Sequence, residues 1–189
     1  LSVLEVLQDL VKAGKIRYWG LSNETPWGIM RFIQLAEKHD LPRPVSVQNP
    51  YSLLNRLYEV GNAEVSIREN CGLLAYSPMA FGLLSGKYHK GVDEDGARLN
   101  QYKQMSRYNG ENSHKATAEY LKIAEKYNLT LAQLSLAFVN TRSFTTSNII
   151  GATTMAQLQE NINSIDVDLD DEMMKEIEAV HENIPNPAP

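Results

Sequence analysis

Two hydrophobic patterns alternate along the chain, and together they predict an α/β fold. Stripes of apolar residues with the period of an amphipathic helix are separated by short apolar runs, which are typical of strands buried in a parallel sheet. Residues 88–112 are polar and lack an apolar period, so we expect a long loop there. The predicted helices cover about 3–13, 26–39, 59–70, 113–127, 131–140, 154–163 and 170–182, and the predicted strands cover 16–21, 45–48, 73–76 and 148–150.

Residues with capping chemistry stand at several of these helix boundaries. Ser, Thr and Asp before a helix can accept hydrogen bonds from its first free N–H groups, and Gly after a helix can adopt the left-handed backbone that ends it. The expected caps are Ser2 and Gly14 for the first helix, Thr25 before Pro26, Thr130 with Gln133, and Thr154 with Gln157, the last two with capping-box spacing.

Strands and helices follow one another in turn, an order that favours parallel strands joined by crossover helices. Two closures fit this order: an open doubly wound sheet, or part of a (β/α)8 barrel. No G-x-G-x-x-G motif follows a predicted strand, which disfavours the dinucleotide-binding form of the open sheet. Polar residues cluster where strands end, as they do at the catalytic face of a barrel, namely Ser22, Asn23, Gln48, Tyr76 and Ser77.

Four strands amount to half of such a barrel, so residues 1–184 are interpreted as a half barrel followed by a short tail at 185–189. An open half would leave two unpaired strand edges and an apolar face in water. The chain also begins at Leu1 rather than at a Met. We therefore expect it to be a piece of a longer protein, with the missing half or another chain as its partner.

The stretch 72–88 carries the most chemistry for its length. A short apolar run ends at Tyr76, whose ring can lie on a flat heterocycle, and a loop with Gly82, Gly86 and Lys87 follows. Small residues let a backbone approach a ligand closely, and free N–H groups with a Lys suit a phosphate. The alternative interpretation is a strand, a turn and a solvated Lys. By itself the stretch does not decide between them.

Composition narrows the function classes further. The chain has 189 residues and a net charge of −5, which argues against nucleic-acid and membrane surfaces as partners. The single Cys71 excludes an internal disulfide framework and fits a reducing compartment, so we expect a cytoplasmic protein. We find no metal-ligand spacing and assign no metal.

Four segments in chain order resemble the aldo-keto reductases over the whole length of the chain. The match is to the C-terminal half of that (β/α)8 barrel, strands five to eight, in the branch of Tas-like proteins and potassium-channel β-subunits. Any one segment would be weak, whereas four in order with helices between them are specific. The segments are 15–23 (KIRYWGLSN), 48–55 (QNPYSLLN), 75–78 (AYSP) with 85–88 (SGKY), and 149–154 (IIGATT) with 160–161 (EN).

The resemblance implies an oxidoreductase that reduces aldehydes or ketones by hydride transfer from NADP(H). By that resemblance, Ser22, Asn23 and Gln48 hold the nicotinamide carboxamide, and Tyr76 stacks on the nicotinamide ring. A carboxamide has two donors and one acceptor that such side chains can meet. The other implied cofactor positions are Ser77, Met79 and Lys87 at the diphosphate, Arg98 near the adenosine phosphate, and Gly151, Gln157, Glu160 and Asn161 after strand eight.

Two departures from the family pattern matter. Many members carry Lys and Arg after strand eight to hold the 2′-phosphate of NADP, where this chain has Gly151 and Gln157. Lys87 and Arg98 can compensate, because their long side chains reach a phosphate. The family's Asp, Tyr, Lys and His tetrad comes from earlier strands and falls outside this chain. We therefore assign no catalytic residue and expect this chain alone to be inactive.

Other interpretations remain open for the whole and for its parts. The chain can be a non-catalytic module that binds a dinucleotide or regulates a partner protein, or a barrel domain that binds a phosphorylated metabolite. Each site residue also has a structural alternative: a turn for Ser22 and Asn23, core packing for Tyr76, solvated charges for Lys87 and Arg98. Gln157 serves as a helix cap in that interpretation, and Glu160 and Asn161 as solvated helix residues.

Overall fold

The fold is built on a parallel four-stranded sheet, described by a computed structural model for residues 1–89 and 106–189. The seven predicted helices are all present, with boundaries within about three residues of those expected. They are α1 (Ser2–Lys12), α2 (Pro26–Lys38), α3 (Asn62–Glu69), α4 (Glu111–Lys126), α5 (Leu131–Asn140), α6 (Met155–Asn163) and α7 (Asp171–Asn183). The strands are β1 (Leu21–Ser22), β2 (Ser46–Pro50), β3 (Gly72–Tyr76) and β4 (Thr145–Asn148).

The strands lie side by side in chain order, and every neighbouring pair is parallel. β2 and β3 pair over their full length, from Ser46 opposite Gly72 to Pro50 opposite Tyr76. The prediction of parallel strands joined by crossover helices is therefore confirmed. Because the strands are parallel, the four carboxyl ends meet at one edge of the sheet.

The first strand is much shorter than expected. Residues 16–21 were the predicted strand, but only Leu21 and Ser22 pair with β2. The prediction was wrong because the apolar residues before them pack instead of pairing: Ile16 and Trp19 join a small core with Leu4 of α1. A single hydrogen bond from Val45 N–H to the Trp19 carbonyl, 3.0 Å long, continues the contact upstream.

The fourth strand begins earlier than expected, at Thr145 rather than at Asn148. A bulge lies in its pairing with β3: Thr145 is opposite Leu73, while Ser147 is opposite Leu74, so one residue of β4 is left over. The polar residues that fill this strand gave no apolar signal, which is why the prediction was wrong. Pairing extends slightly beyond the strand, since Ile149 N–H donates to the Ala75 carbonyl at 2.8 Å.

The two faces of the sheet differ sharply in burial. Val47, Leu73 and Ala75 are fully buried on one face, in a core that the helices complete. Gln48 and Tyr76, which point to the other face, are only half-buried. Parallel sheets are usually covered on both faces, so the second face of this sheet is unusually open within the described part of the chain.

Most of the predicted helix caps are observed. The Thr25 hydroxyl accepts a hydrogen bond from Gly28 N–H, and Thr130 and Gln133 form the complete capping box of α5. α1 ends as expected, with Gly14 at a φ of +67° and its N–H bonded to the Val11 carbonyl. These caps satisfy backbone groups that the helices leave without partners.

Two predicted caps differ from the observed ones. Ser2 lies inside α1, because the first helical hydrogen bond runs from Glu5 N–H to the carbonyl of Leu1, which is therefore the N-cap. At α6, the Thr154 hydroxyl accepts from Gln157 N–H as expected. The Gln157 side chain, however, accepts from Thr153 N–H instead of closing a box on Thr154.

The residues after α7 are tied to the body of the fold. Ala188 is fully buried, and its N–H donates to the Leu54 carbonyl at 3.0 Å. The Asn186 side chain accepts from Arg56 N–H, and the Pro187 carbonyl accepts from the Ser113 hydroxyl. The last residues thus bridge the loop after β2 and the start of α4.

Within residues 1–89 and 106–189, none of the helices combines the length and apolarity needed to cross a membrane.

A buried ionic network joins the loop after β2 to α7. Arg56 is only 5% exposed and donates to both oxygens of Glu59, at 2.9 and 2.8 Å, and to Glu178 at 2.8 Å. Tyr51 donates its hydroxyl to Glu59 as well. Burial alone raises the pKa of Glu59, but the hydrogen bonds from Arg56 and Tyr51 outweigh burial and lower it. The Glu59 carboxylate is therefore held in its ionised form.

Replacing Glu59 with Gln is expected to lower the free energy of unfolding at neutral pH by about 2–3 kcal/mol, because Arg56 loses a buried charged partner. Because the pKa of Glu59 is lowered in the folded protein, its ionised carboxylate stabilises the fold above the ordinary pKa of 4.5. That stabilisation is lost as the pH falls through the folded-state pKa. The difference between wild type and variant should therefore shrink below about pH 4.5 in urea unfolding.

Glu64→Gln is the matched control, since Glu64 pairs with Arg68 at 2.7 Å on the exposed face of α3. That pair is solvated, so its loss should cost less than about 0.5 kcal/mol at neutral pH. Equal losses in the two variants, or a Glu59→Gln loss that does not change with pH, would contradict the stabilising role of the network.

Candidate functional site

Polar side chains from three neighbouring strands meet at the carboxyl edge of the sheet. Ser22 at the end of β1 is paired with Gln48 of β2, so both point to the open face. Asn23 follows with a left-handed backbone, φ +53°, and its N–H donates to the Gln48 carbonyl at 2.9 Å. The Tyr76 hydroxyl at the end of β3 donates to the Asn23 side-chain oxygen at 2.7 Å. The structure thus brings these four predicted residues together.

The donors and acceptors of this group are partly used by one another. The Asn23 side-chain nitrogen donates to the Ser22 hydroxyl at 3.0 Å, which leaves its second hydrogen for another acceptor. The Gln48 amide has no hydrogen-bond partner among the residues that the structure describes. Burial raises the pKa of Tyr76, and so does Tyr108, against an opposite effect of Arg107. The Tyr76 hydroxyl therefore stays protonated and acts as a donor at neutral pH.

The turn after β3 is held in an unusual backbone conformation. Ser77, Ala80, Phe81 and Gly82 all have positive φ, at 52°, 47°, 59° and 96°. Such values are unfavourable for residues with a side chain and are often found at functional sites. Several of the N–H groups that we expected to be free are used inside the turn: those of Ala80, Gly82 and Leu84 donate to the carbonyls of Ser77 and Met79.

One of the two expected cations, Lys87, lies beside an aromatic ring. Lys87 is half-buried just after the turn, with its ammonium nitrogen 5.3 Å from the centre of the Tyr88 ring. A cation at that distance from an aromatic face is attracted to it. Arg98 lies outside the described residues.

The predicted residues after β4 follow the strand that neighbours β3, since Asn148 of β4 is paired with Ala75. Each has a partner within the fold. The Gln157 side chain accepts a hydrogen bond from Thr153 N–H, and Glu160 accepts from the Thr130 hydroxyl at 2.6 Å. The buried Asn161 donates to the Gly151 carbonyl at 3.2 Å. Among the described residues, no hydrogen bond joins this second group to Ser22, Asn23, Gln48 or Tyr76.

Gly151 itself is exposed, and a Cβ atom added there would meet no atom within 4 Å. The Asn161 side chain holds the carbonyl of this residue in place from the helix side. The turn after β4 is thus fixed in position and open in front. This arrangement leaves room for a ligand to approach the backbone.

A cavity of about 230 Å³ lies at the outer edge of β4, away from the polar cluster. Its lining includes the polar Asn140, Asn148 and Asn161 and the apolar Ile162 and Ile165. The two isoleucines are 52% and 66% exposed. The Asn148 side-chain oxygen is buried without a hydrogen-bond partner in the described part of the chain. This edge of the sheet therefore presents mixed polar and apolar groups.

Two contributors to the site were not found from the sequence. Tyr108 stacks on Phe81 with a centroid distance of 6.0 Å and an angle of 4°, which supports the turn after β3 from the far side of the long polar stretch. Asn49, which follows the predicted strand 45–48, binds the loop after β1. The aromatic Tyr108 near the end of a polar stretch was an available signal, whereas the amide contact of Asn49 had none.

Comparison with known proteins places these features in a family. The model of the aldo/keto reductase family matches residues 1–182. The protein Tas of Escherichia coli is 51% identical over 189 residues, which is 100% of this chain and 55% of Tas. An aldo-keto reductase of Babesia bovis is 45% identical over 165 residues, 84% of this chain and 58% of that protein.

A more distant relative widens the range of functions in this group. A putative voltage-gated potassium channel β-subunit of Schizosaccharomyces pombe is 29% identical over 186 residues, 94% of this chain and 54% of that protein. The chain spans about half the length of these relatives. Since the family model covers nearly all of it, the chain belongs to the aldo/keto reductase family.

Proposed function

We propose that this chain forms the cofactor-binding half of an aldo-keto reductase, an oxidoreductase that reduces aldehydes or ketones with NADP(H). The observation that carries the proposal is the cluster of Ser22, Asn23, Gln48 and Tyr76 at the ends of three adjacent strands. Membership of the family supports an oxidoreductase. The bound cofactor would supply the hydride for the reaction.

The chemistry of the cluster fits the amide end of a nicotinamide dinucleotide. A carboxamide offers two N–H donors and one oxygen acceptor. The Gln48 amide and the remaining Asn23 hydrogen can donate to that oxygen, and the Ser22 hydroxyl can accept from its nitrogen. Tyr76 is tied through its hydroxyl to Asn23 at 2.7 Å, so its ring has a defined place beside the cluster. A simple phosphate ligand would need none of these amides, which disfavours the phosphorylated-metabolite alternative.

The rest of the dinucleotide would extend towards β4. Ser77, Met79 and Lys87 surround the turn after β3, where a diphosphate would meet backbone and a cation. The open turn at Gly151, with Gln157, Glu160 and Asn161 behind it, would take the adenosine end. We propose NADP(H) rather than NAD(H) on the strength of Lys87 and of Arg98, which lies outside the described residues.

We further propose that residues 1–184 are the C-terminal half of a (β/α)8 barrel. Three observations support this: the chain-order parallel sheet, its half-open face, and a chain about half as long as its relatives. The cavity beside β4 and the exposed Ile162 and Ile165 mark the surface where a complementary half, or another chain, would pack. A chain packed against this edge could also place a hydrogen-bond donor at the buried side-chain oxygen of Asn148.

The first test is direct titration of the chain with NADPH, followed by fluorescence and calorimetry. Wild type should bind, and Gln48→Leu should raise Kd about tenfold or more, because a buried amide contact to the carboxamide is lost. Gln34→Leu is the matched control on the exposed face of α2 and should leave Kd unchanged. No binding by wild type, or equal binding by both variants, would refute the proposed site.

The second test concerns catalysis. With NADPH and a reactive aldehyde, the chain alone should show negligible turnover in an absorbance assay, because the residues that match the family's tetrad are not part of it. General acid–base groups of that kind contribute roughly 10² to 10⁴ in rate. Substantial turnover would contradict the proposal that this chain binds the cofactor but lacks the catalytic groups. Binding without turnover in a full-length relative would instead favour the non-catalytic module.

The third test concerns the open edge. In sedimentation velocity, the chain alone should associate, because the strand edges and the apolar residues beside β4 are uncovered. Ile165→Lys should weaken that association, while Val60→Lys, at a residue 77% exposed before α3, should not. A well-behaved monomer in wild type would count against the half-barrel interpretation.

A further inference from the structure

The conformation of Asn23 needs support from its surroundings. Its left-handed backbone, φ +53°, is less favourable than the usual regions for a residue with a side chain. The direction of its amide, towards Ser22 and Tyr76, depends on that backbone. One backbone hydrogen bond, from its N–H to the Gln48 carbonyl, ties it to β2. The next residue, Glu24, provides further contacts.

Glu24 is held by two asparagine side chains that come from other elements. Asn49 accepts from Glu24 N–H at 3.1 Å and donates to the Glu24 carbonyl at 3.0 Å. Asn62, at the start of α3 and 7% exposed, donates to the same carbonyl at 3.0 Å. Both backbone groups of Glu24 are thus bound by side chains that are distant in sequence. We call Asn49 and Asn62 the asparagine clamp.

The Glu24 side chain is fixed as well. Its carboxylate accepts from Thr25 N–H at 2.8 Å, and it lies so close to Gly28 that a Cβ there would come within 2.0 Å of a carboxylate oxygen. The anchoring exceeds what is needed merely to start α2, whose cap is already supplied by Thr25.

The asparagine clamp acts from behind the sheet. Asn49 follows Gln48 directly in β2, so its side chain points to the opposite face from that of Gln48. It therefore cannot contact a ligand that lies against Gln48 and Tyr76. Any effect of Asn49 on such a ligand is indirect, and its two hydrogen bonds lead to Glu24 and so to the backbone of Asn23.

We propose that Asn49 is a positioning residue for the nicotinamide end of the cofactor. By holding the Glu24 backbone, it keeps Asn23 left-handed and aims the Asn23 amide, beside Gln48, at the carboxamide. This inference rests on the proposed function, in which Asn23 and Gln48 bind that group. It assigns no role to Asn49 at the adenosine end, and that asymmetry makes it testable.

The test is Asn49→Asp in the whole chain. Asp has nearly the same volume and still accepts from Glu24 N–H, but an oxygen replaces the nitrogen that donated to the Glu24 carbonyl. Two acceptors then face each other, and the loop is released. The probes are NADPH and 2′,5′-ADP, which has the adenosine end of NADPH without nicotinamide. Kd for NADPH should rise about three- to tenfold, while Kd for 2′,5′-ADP stays unchanged.

Asp170→Ala is the control for general destabilisation. Asp170 caps α7 through a 2.8 Å hydrogen bond from Met173 N–H, far from the clamp, and its loss should lower Tm without changing either Kd. Asn62→Ser provides a second variant in case Asn49→Asp folds poorly. It removes one hydrogen bond to the same carbonyl and should show the same selective effect, with a smaller size.

The outcomes separate the inference from the proposal on which it rests. If wild type fails to bind NADPH, the proposed function fails and this inference fails with it. If wild type binds NADPH and Asn49→Asp binds it equally well, only the positioning role is overturned. Equal weakening for NADPH and 2′,5′-ADP in both asparagine variants would also overturn it, because such a loss reflects the fold and not the aim of Asn23.

Discussion

The register between β1 and β2 is the constraint on which the candidate site depends. In the described part of the chain, this ladder consists of two residue pairs, Leu21 with Val47 and Ser22 with Gln48. A shift of one residue would turn every side chain of β1 to the opposite face and separate Ser22 from Gln48. So short a ladder cannot fix its own register firmly. The hydrogen bond from Asn23 to Gln48 and the asparagine clamp on Glu24 extend the contact beyond the strand.

The two faces of the sheet divide stability from chemistry. Val47, Leu73 and Ala75 are fully buried against helices, and burial of apolar area is the main favourable term in folding. On the other face, Gln48 and Tyr76 remain half-exposed, so their polar groups can still meet water at little cost. In the proposed barrel that face would be enclosed. The same polar groups would then need partners, and a ligand rich in donors and acceptors would supply them.

Elements with their own amphipathic pattern were predictable, whereas features set by partners were not. The helices and β3 follow from local periodicity, because each buries one apolar side. The predicted bounds of β1 were wrong because the apolar Trp19 packs on α1 and not along the sheet. Those of β4 were wrong because its polar residues carry no apolar signal. The cluster at the strand ends was predictable from the parallel order alone. The positive φ of Phe81 was not, since no glycine marks it.

The two ends of the proposed cofactor site differ in how far they are prepared for a ligand. Behind β4, Glu160 and Asn161 already have partners within the fold, so a nucleotide that used them would exchange one hydrogen bond for another, with little net gain. At the ends of β1 to β3, Asn23 is fixed in place and Gln48 has no partner in the described part of the chain. Groups fixed before binding lose less entropy when a ligand arrives. In the proposed site, recognition of the nicotinamide should therefore depend mainly on the amide end, while cations such as Lys87 would contribute affinity for the phosphates.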